Sequence, residues 1–468
     1  MQAFEQLTGV LNDVFYSKFV AILLLVVGIY FTIRLKFGQI TNLGHMFKLL
    51  GEDKSGDKAI SPFEAFCISA ASRIGTGNIV GTAAAIATGG PGAVFWMWMT
   101  AIIGGATSFI ESTLAQIYKR QNEDGTYRGG PAYYIKHGLG MDKLGIVFAI
   151  VISITFGFMF NAVQSNTITS AISNGFGFDV RIIAIVIVIL TAIVIFGGAK
   201  KIAQATSKIV PIMATFYILL CLFIIITNIT KFPLAIKYIF LSAFNPKAVG
   251  GAVAGKTIGM AITTGVRRGL FSNEAGMGSV PNAAATADTD HPAKQGFIQS
   301  LGVYVDTILV CTATAFIILL SGSEVYADPN LQGIQITQMA LANEVGDWAY
   351  FFLAICIFMF SYSSILGNFY YGQSNIEFIS PKSIYLNIYR VLVLIMVYIG
   401  GVADFSVVWN TGDIFMGIMA VINLFVILKL GNEAVTTYKV YIKDLKNNNP
   451  RRFSPKIFKQ FGEITEWD

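Results

Sequence analysis

Two stretches of this chain combine glycines with hydroxyl, amide and charged side chains inside otherwise apolar surroundings. The first reads Ala71-Ser72-Arg73-Ile74-Gly75-Thr76-Gly77-Asn78-Ile79-Val80-Gly81. The second reads Thr263-Thr264-Gly265-Val266-Arg267-Arg268-Gly269-Leu270-Phe271-Ser272-Asn273-Glu274-Ala275-Gly276. Each glycine costs about 1 kcal/mol relative to alanine in a helix interior, so both stretches are poor helices at their centres. A helix broken there exposes backbone N–H groups that can hold a carboxylate and carbonyls that can hold an ammonium or a hard cation. Close helix packing through small residues such as Gly77 and Gly81 is the alternative use of these glycines. A dinucleotide-binding loop is excluded: Gly75 to Gly81 has three residues before its last glycine and follows no soluble strand.

The elements that carry these stretches are read from composition. Of 468 residues, 54% are apolar and 13% charged, against roughly 25% charged in a soluble domain. So few charges cannot cover the surface of water-soluble domains, and the chain reads as an all-α polytopic membrane protein. About 20 mostly apolar residues are needed per crossing. Eleven candidate spans fall near 16–36, 62–88, 92–117, 144–170, 182–198, 207–228, 256–285, 296–320, 347–372, 386–403 and 407–430. The first lacks a basic start and a cleavage site and reads as a retained helix. Cys67, Cys221, Cys311 and Cys356 all lie in apolar segments, as small buried hydrophobes. The net charge of +6 does not point to nucleic acid. Most Lys and Arg sit on one side of the spans and in the tail, which places the amino terminus outside and the carboxyl terminus in the cytoplasm of a cell membrane. An outer loop with Lys231, Lys237, Lys247 and Lys256 runs against that bias, and a surface helix is expected within it. The tail, with Lys443, Lys446, Arg451, Arg452, Lys456 and Lys459, suits anionic membrane lipid.

The arrangement of the spans gives the two stretches their meaning. One leading helix and inner loop (1–61) precede five spans (62–228) and five more (256–430), followed by the basic tail (431–468), and each broken segment opens its group of five. That placement is expected of inverted-repeat secondary transporters, whose half-helix ends meet substrate and ion at mid-membrane.

Further residues carry a family likeness. Gly89-Gly90-Pro91-Gly92-Ala93-Val94-Phe95-Trp96-Met97-Trp98-Met99-Thr100-Ala101-Ile102-Ile103-Gly104, with Gly75-Thr76-Gly77-Asn78, Gly129-Gly130-Pro131 and Phe271-Ser272-Asn273-Glu274-Ala275-Gly276, resembles the alanine/glycine:cation symporter (sodium:alanine symporter) family of the amino acid-polyamine-cation superfamily. The resemblance runs from the first span to Leu430. It implies a LeuT-like five-plus-five inverted repeat with one extra leading helix, and symport of a small neutral amino acid with Na⁺ as coupling ion and no other cofactor. Thr76, Gly77 and Asn78 suit the substrate carboxylate, and carbonyls around Thr263, Thr264 and Gly265 its ammonium. By the same resemblance Gln164 contacts substrate, an interhelical hydrogen bond being its other reading. Ser363 and Ser364, with carbonyls near Ala71 and Ile74, would form the sodium site, or else be serines facing a neighbouring helix. The chain departs from the family at Asn368, where many alanine and glycine carriers have Trp. An amide there suits a longer polar side chain, so the sequence looks closer to the glutamine-transporting members, with alanine or glycine the alternative.

Arg73, Glu111, Arg267, Arg268, Glu274, Asp306 and Asp413 lie in or at the ends of spans, where charge is costly. Arg73 and Glu274 read as a gate or as a structural ion pair, and Asp306 as a proton site or a hydrogen-bonded structural carboxylate. Asp288-Thr289-Asp290-His291 has metal-ligand residue types, but its spacing before Pro292 is that of a capping turn. No span carries the His/Asp or Cys/His set that a membrane-embedded enzyme requires, and no repeated filter suggests a channel.

Overall fold

The computed structural model describes residues 9, 15, 19–52, 60–122, 125–245, 256–447, 452–458 and 462–467. The expected helix start at 16–18 and the basic residues Lys247, Arg451 and Lys459 lie outside them. In chain order the main helices are α1 (Ala21–Arg34), α2 (Pro62–Arg73), α3 (Thr82–Gly89), α4 (Gly92–Ile117), α5 (Asp142–Phe176), α6 (Val180–Ile195), α7 (Ala199–Thr227) and α8 (Phe232–Phe244). They continue as α9 (Ile258–Asn273), α10 (Pro292–Leu320), α11 (Trp348–Ile379), α12 (Ser383–Val402) and α13 (Phe405–Lys446). Among the described residues seven helices are long and apolar enough to cross a membrane. The expected eleven exceed that number for two reasons. α2 with α3, and α9, are parts of interrupted crossings, and α1 and α6 are short apolar helices of 14 and 16 residues. α8 is the helix expected in the lysine-bearing loop. α13 runs 42 residues, well past the expected end of its span at 430.

Outward-facing apolar stripes show which surfaces meet lipid. Ile22, Val26, Ile29 and Ile33 on α1, and Ile182, Val186, Ile189 and Ile193 on α6, are all exposed. Their three- and four-residue spacing lines one helix face, where hydrocarbon rather than water is the compatible solvent. The interior packs large apolar side chains such as Phe109, Phe148 and Phe297, with small residues where helices approach closely. α4 packs on α9 and α10, α5 on α11 and α12, and α6 on α12.

Local chemistry sets the broken helices. α2 begins at a capping box: Ser61 Oγ accepts from the Glu64 N–H at 3.1 Å, while the Ser61 N–H donates to Glu64 Oε2 at 2.8 Å, with Pro62 in the first turn. Such caps contribute about 1 kcal/mol. α2 ends where Ile74 turns to ψ 89°. The chain resumes as a π-helical turn over Gly77–Gly81 that leads into α3. α9 is capped by Thr257 and ends at Glu274, which adopts φ 57°, followed by Gly276 and Gly278 at φ 84° and 83°. A single bridge joins Ile60 to Ala287, and the Asp288 N–H donates to Ile60 O at 2.9 Å. The residue ahead of one broken helix is thereby tied to the stretch that follows the other.

The tail does not extend freely from α13. Trp467 is 2% exposed, and its indole N–H donates to Gln116 O at 2.8 Å. Lys119 Nζ lies 4.5 Å from that ring, and burial pushes the Lys119 amine down to about 7. Glu463 meets His137 Nδ1 at 2.8 Å, and that hydrogen bond, with the nearby Arg120, holds the Glu463 carboxyl below its ordinary range. The described tail residues therefore pack Phe453 and Trp467 onto the protein, while Lys443, Lys446, Arg452 and Lys456 stay exposed.

Candidate substrate and cation site

The first break brings four helices together. Gln164 on α5 points its amide oxygen at Thr76, accepting from the backbone N–H at 3.0 Å and from the hydroxyl at 2.6 Å. Ser361 Oγ on α11 lies 2.9 Å from the same hydroxyl. The Gly75 N–H is held by Asn78 Oδ1 at 2.9 Å. All of these side chains are buried. Gly77 is a position of close approach: an added Cβ would meet Phe271 Cδ1 at 2.9 Å and Ser272 Cα at 3.1 Å. The end of α9 therefore lies directly against the first break. N–H groups held only by neutral amide oxygens are what an incoming carboxylate can take over, because charge-assisted hydrogen bonds are roughly twice as strong as neutral ones.

One turn earlier, oxygens converge. Ser364 Oγ on α11 lies 2.8 Å from Ala71 O, 3.4 Å from Ile74 O and 3.1 Å from Phe360 O. Ser363 Oγ lies 2.8 Å from the same Phe360 O, with Met213 Sδ beyond at 3.9 Å. Ala71 and Ile74 end a helix, so their carbonyls lack the usual acceptor role toward a following turn. Three carbonyls and two hydroxyls form an all-oxygen donor set suited to a hard monovalent cation. Phe360 was missed in the sequence. Its carbonyl is found only by noting that it lies three and four residues before the two serines on one helix.

Thr263, Thr264 and Gly265 do not form the second break. α9 is continuous through them, and Thr263 Oγ1 donates to Gly259 O at 2.8 Å within the helix. Gly265 packs against Ala93 and Trp96, and Gly269 against Met97 and Thr100 of α4. These glycines thus serve close helix packing, and the backbone instead departs from helix at Glu274, nine residues or more further on. There the Gly276 and Gly278 N–H groups donate to the two oxygens of Glu111 at 3.2 and 3.1 Å. Asn423 Nδ2 donates to Glu111 at 2.7 Å and Tyr134 Oη donates to Asn423 Oδ1.

Asn368 lies toward the second break. Its Oδ1 is 2.7 Å from Ser72 Oγ, which is also 2.7 Å from Glu274 Oε1, while Ser279 Oγ donates to Glu274 Oε2 at 2.6 Å. The Asn368 amide nitrogen is buried without a hydrogen-bond partner among the described residues. Arg73 turns away from Glu274 and donates to Gln299 Oε1 at 2.7 Å and Gln299 O at 3.1 Å, so the anticipated pair of Arg73 with Glu274 is not formed. A buried pair forms instead between Arg268 and Asp413, at 2.8 Å, with the guanidinium 4.8 Å from the Trp409 ring. His291 caps α10, its Nδ1 accepting from the Ala293 N–H at 3.2 Å, and Asp290 pairs with Lys294.

A cavity opens at the end opposite the tail, beside Phe405 at the start of α13. It holds about 530 Å³ and is lined by Ala84, Thr88, Lys256, Asp328, Ile336 and Phe405. From its floor the rings of Phe405, Trp409, Phe271 and Phe160 follow one another at 5.5, 4.8 and 4.6 Å. These aromatics separate the cavity from Gly77.

A multi-pass membrane protein whose helix is interrupted at its centre, with N–H groups held only by neutral amide oxygens and with carbonyl and hydroxyl oxygens gathered beside them, has the features of a solute carrier. Comparison gives the family. The profile of the sodium:alanine symporter family matches residues 1–455, and the chain belongs to that family. It is 50% identical over 467 residues to the amino-acid carrier protein AlsT of Bacillus subtilis, covering 99% of this chain and 98% of that one. It is 47% identical to the probable sodium/glutamine symporter GlnT of the same organism, covering 100% and 96%. A manganese transporter from Eremococcus coleocola shares the fold, with a TM-score of 0.52 at 11% identity over 85% of this chain and 89% of that one. The protein is a transporter and not an enzyme.

Proposed function

We propose that this protein is a Na⁺-coupled symporter that carries a small neutral amino acid inward by alternating access. The observation that carries the reading is the Thr76 N–H and hydroxyl pair held by the neutral Gln164 oxygen. A substrate carboxylate displaces that oxygen and takes both donors. The ammonium meets carbonyls in the last turn of α9, around Phe271 to Asn273, which lie against Gly77 and are free as helix ends are. Na⁺ binds Ala71, Ile74, Phe360, Ser363 and Ser364 and so fastens the end of α2 to α11.

The same reading takes residues 62–228 and 256–430 as a LeuT-like five-plus-five inverted repeat after a leading segment over 1–61. The packing of α4 on α10 and of α5 on α11 supports it, since these are corresponding members of the two groups. It sets the amino terminus outside and the tail at the cytoplasmic face. Glutamine is the favoured substrate, with alanine or glycine the alternative. The support is the unpaired Asn368 amide and the likeness to a probable glutamine symporter. Uptake of radiolabelled glutamine into proteoliposomes, with and without an inward Na⁺ gradient and in competition with the twenty amino acids, tests both levels. Accumulation only with the gradient is expected, with glutamine the strongest competitor; equilibration without Na⁺ overturns the symport.

A further inference from the structure

The end of the chain is fastened to three separate elements. The Phe453 N–H donates to Asp290 O at 3.0 Å, just ahead of α10. The Glu463 N–H donates to His137 O at 3.0 Å, near the end of the short helix Pro131–Leu139 that leads into α5. The Trp467 indole N–H donates to Gln116 O in the last turn of α4. Carbonyls in the last turn of a helix have no donor further along it, so two of these three bonds complete helix ends. Side chains reinforce them. Arg120 donates to Glu463 O at 2.9 Å, and Phe453 and Trp467 meet edge to face at 5.3 Å. Lys119 Nζ lies between the Tyr127 and Trp467 rings, at 4.0 and 4.5 Å. Gly462 passes so close to His137 O and Gly138 that a Cβ does not fit there.

These anchor points belong to two different sets of helices. Asp290 closes the stretch that follows the second break. Gln116 Nε2 already holds that stretch to α4, donating to Ala284 O at 2.6 Å and Ala287 O at 2.9 Å. Through Ile60 the same stretch is tied to the start of the first interrupted crossing. His137 stands with the other set: its short helix runs into α5, and Tyr133 on it meets Phe378 of α11 at 4.9 Å. A substrate held between Thr76 of the first break and Gln164 of α5 leaves toward the tail's end of the molecule only when the two sets part there. A connection from Asp290 across Gln116 to His137 resists that parting. It is also a connection that can let go, because water can take the same carbonyls at the end of the molecule, and moving parts are drawn from such weakly held segments.

We infer that Phe453, Gly462, Glu463 and Trp467 form a strap that brakes inward opening. Docked, it holds the tail's end of the protein closed; released from Gln116 and His137, it lets substrate pass to the cytoplasm faster. The inference rests on the symport reading above, with the tail at the inner face, and adds the part of the chain that limits the opening step.

The test uses proteoliposomes of the full chain, of Trp467→Ala and Gly462→Val, which undock the tail, and of a chain stopped after Asn447. Uptake at saturating Na⁺ and substrate, per inserted protein, should rise about threefold in each variant, as release of a rate-limiting opening step does. KM should stay within about twofold of wild type, because the strap touches no ligand. Cys67, fully buried in the first half of α2, is a native reporter of opening at this end. Its alkylation by a maleimide, read by mass spectrometry, should quicken about fivefold as the open state gains population. Turnover in Trp467→Ala and Gly462→Val that is unchanged or lower makes the tail a structural cap and overturns the brake, as does unchanged alkylation of Cys67. If the stopped chain fails to insert, the two full-length variants decide. Failure of the symport reading shows separately, as absent Na⁺-driven uptake in the wild type, and the Cys67 rates then still report whether the strap holds this end closed.

Discussion

The two interrupted helices solve one problem with different partners. At the first, the orphan N–H groups of Gly75 and Thr76 are held by amide oxygens, Asn78 Oδ1 and Gln164 Oε1. At the second, those of Gly276 and Gly278 are held by the carboxylate of Glu111, which Asn423 fixes in turn. A neutral acceptor is a placeholder that an anion can displace. A buried carboxylate already fills the anion site, and removing it would strand several donors. The first break is thereby suited to exchange ligands, and the second to hold its shape while other parts move.

Gln164→Glu converts the first break into a copy of the second, and it should have the largest effect. The new carboxylate takes the Thr76 N–H and hydroxyl permanently, so substrate affinity should fall by about a hundredfold or more, the cost of displacing a charge-assisted pair. Tm should hold or fall, because a buried carboxylate without a cation partner is costly. A variant that still binds amino acid at wild-type affinity would show that Gln164 is not in the carboxylate's place. The converse change, Glu111→Gln, makes the second break resemble the first. One acceptor survives and one N–H loses its partner, a loss of about 1–3 kcal/mol. Tm should drop, and turnover should fall about tenfold with KM nearly unchanged, because substrate does not touch this residue. An equal loss in KM would erase the distinction between the breaks.

The cation position sharpens the comparison further, since only the first break has one supplied by carbonyls of its own helix. The double change Ser363→Ala with Ser364→Ala removes two of five oxygens. It should raise the Na⁺ needed for half-maximal uptake about tenfold, measured in proteoliposomes. Small hydroxyls leave little cavity, so Tm without Na⁺ should move by no more than a few degrees. Unchanged Na⁺ activation would leave both serines as helix-facing groups only.

How much of this was legible in the sequence follows from what each break is made of. The first break was legible in its own run of glycines and polar residues, whereas Gln164, 88 residues from Thr76, and Ser364, 293 and 290 residues from Ala71 and Ile74, were reached only through the family resemblance, and the fold brings them together. The second break was misplaced because Gly265 and Gly269 look like helix breakers, while their spacing serves packing against Ala93 and Thr100. The real interruption turns on Glu274 at positive φ and on Glu111, 163 residues earlier in the chain. Only the fold reveals that pairing. The docking of Trp467 on Gln116 was equally invisible, since a lone indole near the end of the chain gives no periodic signal.

The smallest effect is expected at Asn368, which stands between the two breaks. Its oxygen is held by Ser72, one turn of α2 ahead of the first break, and Glu274 of the second lies on the same hydroxyl. Among the described residues its amide nitrogen has no partner. One helical turn is about 5.4 Å, a distance that the side chain of glutamine covers from the backbone site and that of alanine does not. Asn368→Ala then removes one net hydrogen bond to glutamine, worth about 1 kcal/mol, and lowers the glutamine-to-alanine uptake ratio roughly fivefold. The larger change Asn368→Trp is less informative, because Ser72 and Glu274 already fill the space an indole would need, and its failure would be one of packing. In Asn368→Ala a uniform fall for both substrates would assign the residue to the structural side of the comparison, with Glu274. A fall confined to glutamine would assign it to the exchanging side, with Thr76 and Gln164. Side-by-side uptake of the two amino acids in wild type and variant reads the difference directly, free of any change in the amount of inserted protein, because only the ratio counts.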